Sequence, residues 1–215
     1  MTATVTRPVP QTAPTRLRTL GWLTVLAGAV GAAQAVAVLA WPDQVSDRHY
    51  SYPFDSTGFV VAQVSFAVQH LGLLAGLCGI TLVAWRRSSR PTRTGLVLCL
   101  VGMVALTVCE IVAITAADAI VGSARADAVD NAYGVPMTVL GIGLVLAGAG
   151  LMRHPVLSGL GRWVLLALGL YLFLVLFPAV FGPMVAGRIA IGIWMLMFVG
   201  LGVSLLRADR DGVTT

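Results

Sequence analysis

The 215-residue chain has no lysine, one glutamate and one asparagine, and only 11% of its residues are charged. Soluble domains carry about 25% charged residues, so a water-soluble globular fold is excluded. Three cysteines are too few for a disulfide scaffold, and none lies in a CxxC spacing. Disorder over most of the length is excluded as well, since it requires low hydrophobicity and high charge. No Walker A, GxGxxG or GxSxG motif occurs, which removes support for ATP hydrolysis and α/β-hydrolase chemistry. A haem with two axial histidines would need two in the spans, and only His70 qualifies. His49 and His154 fall in connecting loops. A catalytic zinc site wants three ligands, and His70 with Glu110 supplies two. No cofactor and no metal is therefore expected.

What the chain has in quantity is apolar sequence. Hydrophobic residues make up 58% and the mean hydropathy is +0.90. Apolar runs long enough to cross a bilayer occur at 20–41, 58–85, 95–121, 135–152, 163–181 and 189–206. At about 1.5 Å per residue even the shortest run approaches the roughly 30 Å of a bilayer core. The runs are continuous and not alternating, which favours helices over a β-barrel. The expectation is an all-α membrane protein, a six-transmembrane-helix bundle over 20–206, with a disordered tail at 1–19 and a short tail at 207–215. The triplet Ala33-Gln34-Ala35 has the form of a leader cleavage site. The apolar run continues past it to Trp41, so the segment is read as a span.

Orientation follows from arginine. Arg7, Arg16, Arg18, Arg86, Arg87, Arg90, Arg93, Arg153, Arg162, Arg207 and Arg210 fall on one side of the spans, where the positive-inside rule puts the cytoplasm. Both termini are then cytoplasmic, and the expected location is a bacterial cytoplasmic membrane. The net charge of +5 is read as a topology signal, not as a nucleic-acid surface. Trp22, Trp41, Trp85 and Trp163 sit at span ends, as an interfacial aromatic belt requires. Cys78, Cys99 and Cys109 are read as small buried apolar residues. Gly72 and Gly76, and the glycines of the fourth run, allow close helix packing.

Polar side chains in lipid each need a reason. Counted from the cytoplasmic boundary of their spans, Gln34, His70 and Glu110 all stand roughly 21–22 Å up, in one layer of the outer half. Gln69 neighbours His70, and Pro178 enters the same level, freeing the carbonyl of Leu174. Gln63, Asp118 and Arg188 lie farther out. If the layer is structural, Glu110 pairs with His70 or Gln34 and Arg188 pairs with Asp118, fixing helix register. If it is functional, the layer lines a cavity open to the outside. The loop from Pro42 to Thr57, with Tyr50, Tyr52 and Phe54 around Pro53, is read as an interfacial anchor or a lid. The segment from Val121 to Tyr133 is read as an external loop with a short helix.

The expected ligand or proton site is thus Glu110, His70, Gln34, Gln69, Gln63, Asp118 and Arg188. The leading functional expectation is a non-enzymatic membrane protein binding a small ligand or lipid headgroup. The alternatives are a proton-coupled transporter or permease component with Glu110 as its proton site, and an accessory subunit of a membrane complex whose polar layer is structural. The expected partners are the lipid bilayer, a small ligand or lipid, and another membrane protein or a second copy of the chain. No nucleophile and base pair commends an enzyme, and no nucleic-acid partner is expected.

Overall fold

The computed structural model describes residues 13–210 except Pro155. It is 83% helical with no strands among the described residues, and six of its helices are long and apolar enough to cross a membrane. The chain is a multi-pass helical membrane protein. The first four spans are α1 (Ala13–Leu39), α2 (Ser56–Ala84), α3 (Arg90–Ala113) and α4 (Ala124–Arg153). The fifth is broken into α5 (Val164–Tyr171) and α6 (Phe177–Val180) by a π-helical turn at Leu172–Leu176, and the sixth is α7 (Met184–Arg210).

Several boundaries differ from the expected ones. Helix α1 starts at Ala13, inside the stretch expected as a tail, and α7 continues to Arg210. The remainder of both tails, 1–12 and 211–215, lies outside the described residues. The largest difference is α4. The segment after Val121 is not a loop with a separate short helix but the first turns of α4 itself. Ser123 explains it: its side chain accepts from the backbone N–H of Ala126, and Asp127 sits in the first turn, where a carboxylate favours the positive end of the helix dipole. Asp55 caps α2 in the same way, accepting from Gly58 N at 2.6 Å.

Each span packs on its neighbours in the chain, and α7 closes on α1, so the helices form a ring in sequence order. The lipid-facing and inward surfaces are both apolar, which is why the helices show no strong amphipathic stripe. On α2, Val61, Val64, Val68 and Leu71 recur at helical spacing on the exposed side, while Leu73, Leu77 and Ile80 are fully buried. On α3, Val97, Val101, Val104 and Val108 face out while Leu96, Cys99 and Met103 face in. Toward the arginine-rich end the ring is filled by Leu77, Ile80, Leu96, Leu144, Phe198, Leu201 and Leu205.

The seams depend on glycine. A Cβ at Gly95 would meet the Ala147 backbone N at 2.5 Å, and one at Gly102 would meet that of Leu140 at 2.7 Å, so α3 and α4 touch backbone to backbone. Gly21 and Gly202 do the same for α1 and α7. Several polar side chains along the spans are satisfied within their own helix. Thr24, Thr81, Thr107, Thr138 and Ser204 each bond the carbonyl four residues back, which removes their cost in hydrocarbon.

Gly102→Ala should therefore destabilise by about 1–3 kcal/mol, the usual cost of overpacking, because the obstruction is backbone that cannot rotate away. Gly200→Ala has nothing within 4 Å of the added carbon and should leave the melting temperature in detergent unchanged. Equal melting of the two variants would contradict the close α3–α4 seam.

Candidate ligand cavity

Away from the arginine-rich end, the ring is not filled. It encloses a cavity of about 280 Å³ to which all six spans contribute. Gln34 comes from α1, Gln69 and His70 from α2, Glu110 from α3, Asp130 and Tyr133 from α4, Leu172 and Leu176 from the π-helical turn, and Arg188 and Trp194 from α7. The level reached by counting residues along separate helices is thus one place, because the ring turns those positions inward together.

Glu110 is the centre of the polar cluster. Its Oε2 accepts a hydrogen bond from the Tyr133 hydroxyl at 2.9 Å, and its Oε1 lies 3.6 Å from His70 Nδ1. The second distance is too long for a hydrogen bond. His70 is buried and its Nδ1 has no partner among the described residues. Gln34 donates through Nε2 to Ser65 Oγ, while its Oε1 is buried without a partner. Gln69 donates to the Ala27 carbonyl at 3.3 Å and to Met195 Sδ, so it is committed to holding α2 against α1 and α7. No third His, Cys, Asp or Glu joins His70 and Glu110 in a metal-binding group among the described residues.

Two expected members fall outside the cavity. Gln63 is buried but does not line it. Asp118 does not pair with Arg188; its exposed carboxylate takes Arg125 at 2.9 Å, a residue that the start of α4 carries back toward it. Arg188 instead turns inward, half-buried, with its guanidinium 5.8 Å from the centre of the Phe66 ring. Among the described residues it makes no ion pair and no side-chain hydrogen bond, although it lies within electrostatic reach of Glu110, Tyr133 and Tyr50. The Pro178 effect also takes another form. Leu174 points outward, 72% exposed, and the fifth span accommodates the proline by widening into the π-helical turn, with Phe177 N bonding Leu172 O.

Tyr133 and Asp130 are cavity residues that the sequence reading missed. Both fall in the segment expected as a loop, and Ser123 with Asp127 is the sign in the sequence that a helix already runs through them. The loop 40–55 covers one side of this end. Phe54 packs with Val38, Phe59 and Ala117, Tyr50 N bonds Ala119 O at 2.9 Å, and Val121 N bonds Arg48 O at 2.8 Å. The Tyr50 hydroxyl donates to Asp130 Oδ1 at 2.8 Å, tying this loop to the rim. On the α6 side, Val180 and Phe181 line the cavity and are themselves exposed.

Compared with protein-family models, curated proteins and solved structures, the chain finds no significant match in any of the three. Its functional reading rests on the cavity alone.

Two outcomes follow from this geometry. Glu110→Gln keeps an acceptor for Tyr133 and should melt close to wild type, whereas Glu110→Leu strands the buried hydroxyl and should lose about 1–3 kcal/mol. A clear loss with Gln would make the charge itself structural. Burial and the bond to Asp130 push the Tyr50 hydroxyl well above the ordinary tyrosine range. The tether's contribution is thus fully present below about pH 10, the unfolded value, and is lost only as pH rises through the raised folded value. In ultraviolet titration, the wild-type minus Tyr50→Phe difference should show a phenol still protonated at pH 10.

Proposed function

We propose that this is a non-enzymatic binding protein of a bacterial cytoplasmic membrane, with both termini inside and its cavity in the outer half of the bilayer. The cavity would hold a small polar ligand or a lipid headgroup. One observation carries the reading: polar atoms without partners converge on a single space. Among the described residues, His70 Nδ1 and Gln34 Oε1, on residues that line it, are buried without a hydrogen bond, and the half-buried Arg188 beside them makes no ion pair. Thr24, Thr81, Thr107 and Thr138, in contrast, bond within their own helices. Buried polar atoms left without bonds are costly, and a ligand supplies what the chain does not. The space, at about 280 Å³, is just below the range of ligand pockets, about 300 to 1,000 Å³, and so suits a small ligand.

The packed leucines and Phe198 at the arginine-rich end favour binding over passage through the ring. Proton-coupled transport with Glu110 as proton site remains the second reading, supported by the carboxylate, hydroxyl and imidazole in sequence from Tyr133 to His70. It requires that the apolar plug open.

Orientation is tested by cysteine substitution in a variant lacking the three native cysteines. Cysteine at Asp47 should react with an impermeant thiol reagent in intact cells, and cysteine at Ser89 should not. The reverse pattern overturns the orientation.

Binding is tested through Gly134, a cavity residue with nothing within 4 Å of an added Cβ. Polar lipid extract of the expression host should raise the melting temperature of the wild type in detergent and leave Gly134→Leu unmoved. A ligand at about 100 times its Kd stabilises by about 2.7 kcal/mol. An equal rise in both proteins would place the binding outside the cavity.

A further inference from the structure

The unused hydrogen-bonding capacity of the cavity is divided by sign. Its unpaired donor is the Arg188 guanidinium, a planar fork of five N–H groups suited to phosphate or carboxylate. Facing it are acceptors. Glu110 Oε1 accepts no hydrogen bond among the described residues, Gln34 Oε1 is buried and free, and Asp130 uses only Oδ1, for Tyr50. A purely anionic ligand would satisfy Arg188 but meet the carboxylates of Glu110 and Asp130. A purely cationic one would meet Arg188. A neutral apolar one would leave Arg188, Glu110 Oε1 and Gln34 Oε1 without hydrogen bonds in a space closed to water, a costly arrangement.

We propose that the cavity takes a zwitterionic group, with its phosphate or carboxylate on Arg188 and its ammonium among Glu110, Asp130 and Gln34. The proposal rests on the reading of the cavity as a ligand site and specifies the ligand's chemistry. The volume of about 280 Å³ suits a headgroup and not a whole lipid. The exposed rim at Val180 and Phe181 gives acyl chains a way out toward the surrounding lipid, whereas the other side is covered by the loop tied down through Tyr50. Imidazole at His70 completes the set as a neutral group able to donate to or accept from the bound head.

The same chemistry is offered by a lipid and by a free zwitterion, and the experiment separates them. Purified protein in maltoside detergent is titrated with dihexanoyl phosphatidylethanolamine, with dihexanoyl phosphatidylglycerol as the anion-only control, and with soluble phosphoethanolamine. Melting temperature and the fluorescence of Trp194, the cavity's own tryptophan, are followed. Saturable binding of the ethanolamine lipid at least tenfold tighter than the glycerol lipid is expected, with Arg188→Gln and Glu110→Gln each weakening it at least tenfold.

Phosphoethanolamine binding as tightly as the lipid assigns a soluble ligand of the same class; lipid alone binding assigns the membrane as source. Both support the zwitterion. Equal affinity for the two lipids overturns it, as does failure of all three probes. So does unchanged affinity in both variants, with Arg188→Met, which also removes the cation, serving in place of Arg188→Gln if the latter does not give a monodisperse protein. Stabilisation by host lipid extract that Gly134→Leu abolishes, without a response to any zwitterion, would overturn the ligand's chemistry and leave the cavity a binding site.

Discussion

Hydrocarbon offers a polar atom no water, so every such atom is bonded by the chain or by something the chain admits. Nearly all of this molecule can be read as a response to that constraint. The helices satisfy their own backbones, and the threonines bend their hydroxyls onto the preceding turn. Glycine seams let the ring close tightly where it is apolar. Against that background the cluster around Glu110 stands apart, because there the same chain leaves polar atoms facing a space it does not fill.

The two ends of the ring consequently do different things. At one end Leu77, Leu144, Phe198 and Leu201 interlock and the arginines lie beyond them, as on Trp85, whose ring and carbonyl both hold Arg93. At the other, the π-helical turn at Leu172–Leu176, which accommodates Pro178, widens the fifth span beside the cavity. A widened turn costs regular backbone bonding, and such turns are concentrated at functional sites. The rim is asymmetric as well: a structured loop anchored by Tyr50 and Phe54 on one side, and exposed Val180 and Phe181 on the other.

Much of this was legible in the chain. Apolar run length located the spans, and counting along them put Gln34, His70 and Glu110 at one depth. Depth is a one-dimensional quantity, however, and azimuth is not. That Gln63 turns away from the cavity while Gln69 and Arg188 turn into or along it depends on the rotation of each helix in the ring. The Asp118–Arg188 pair failed for a local reason: Arg125 lies close in sequence once α4 is known to begin at Ala124. Tyr133 was hidden for the same cause, since polar Asp127 and Asp130 made a helical turn resemble a loop. A helix that projects beyond the apolar layer carries ordinary capping and charge signals, and these were the ones to weigh there.

The ring in sequence order has a consequence for assembly. Each new span can pack on the one made before it, so most of the structure forms from contacts close in the chain, the kind that form quickly. The seam between α1 and α7 is different, for it joins the first span to the last. Arg188, on the first turns of α7, is therefore among the last wall residues to arrive during synthesis, with Ile191, Trp194 and Met195 following it. Until α7 is in place, the ring lacks one wall and Glu110 faces a groove and not a cavity. Completion of the last helix both shuts that groove and introduces Arg188, so the cavity comes into being in a single late step.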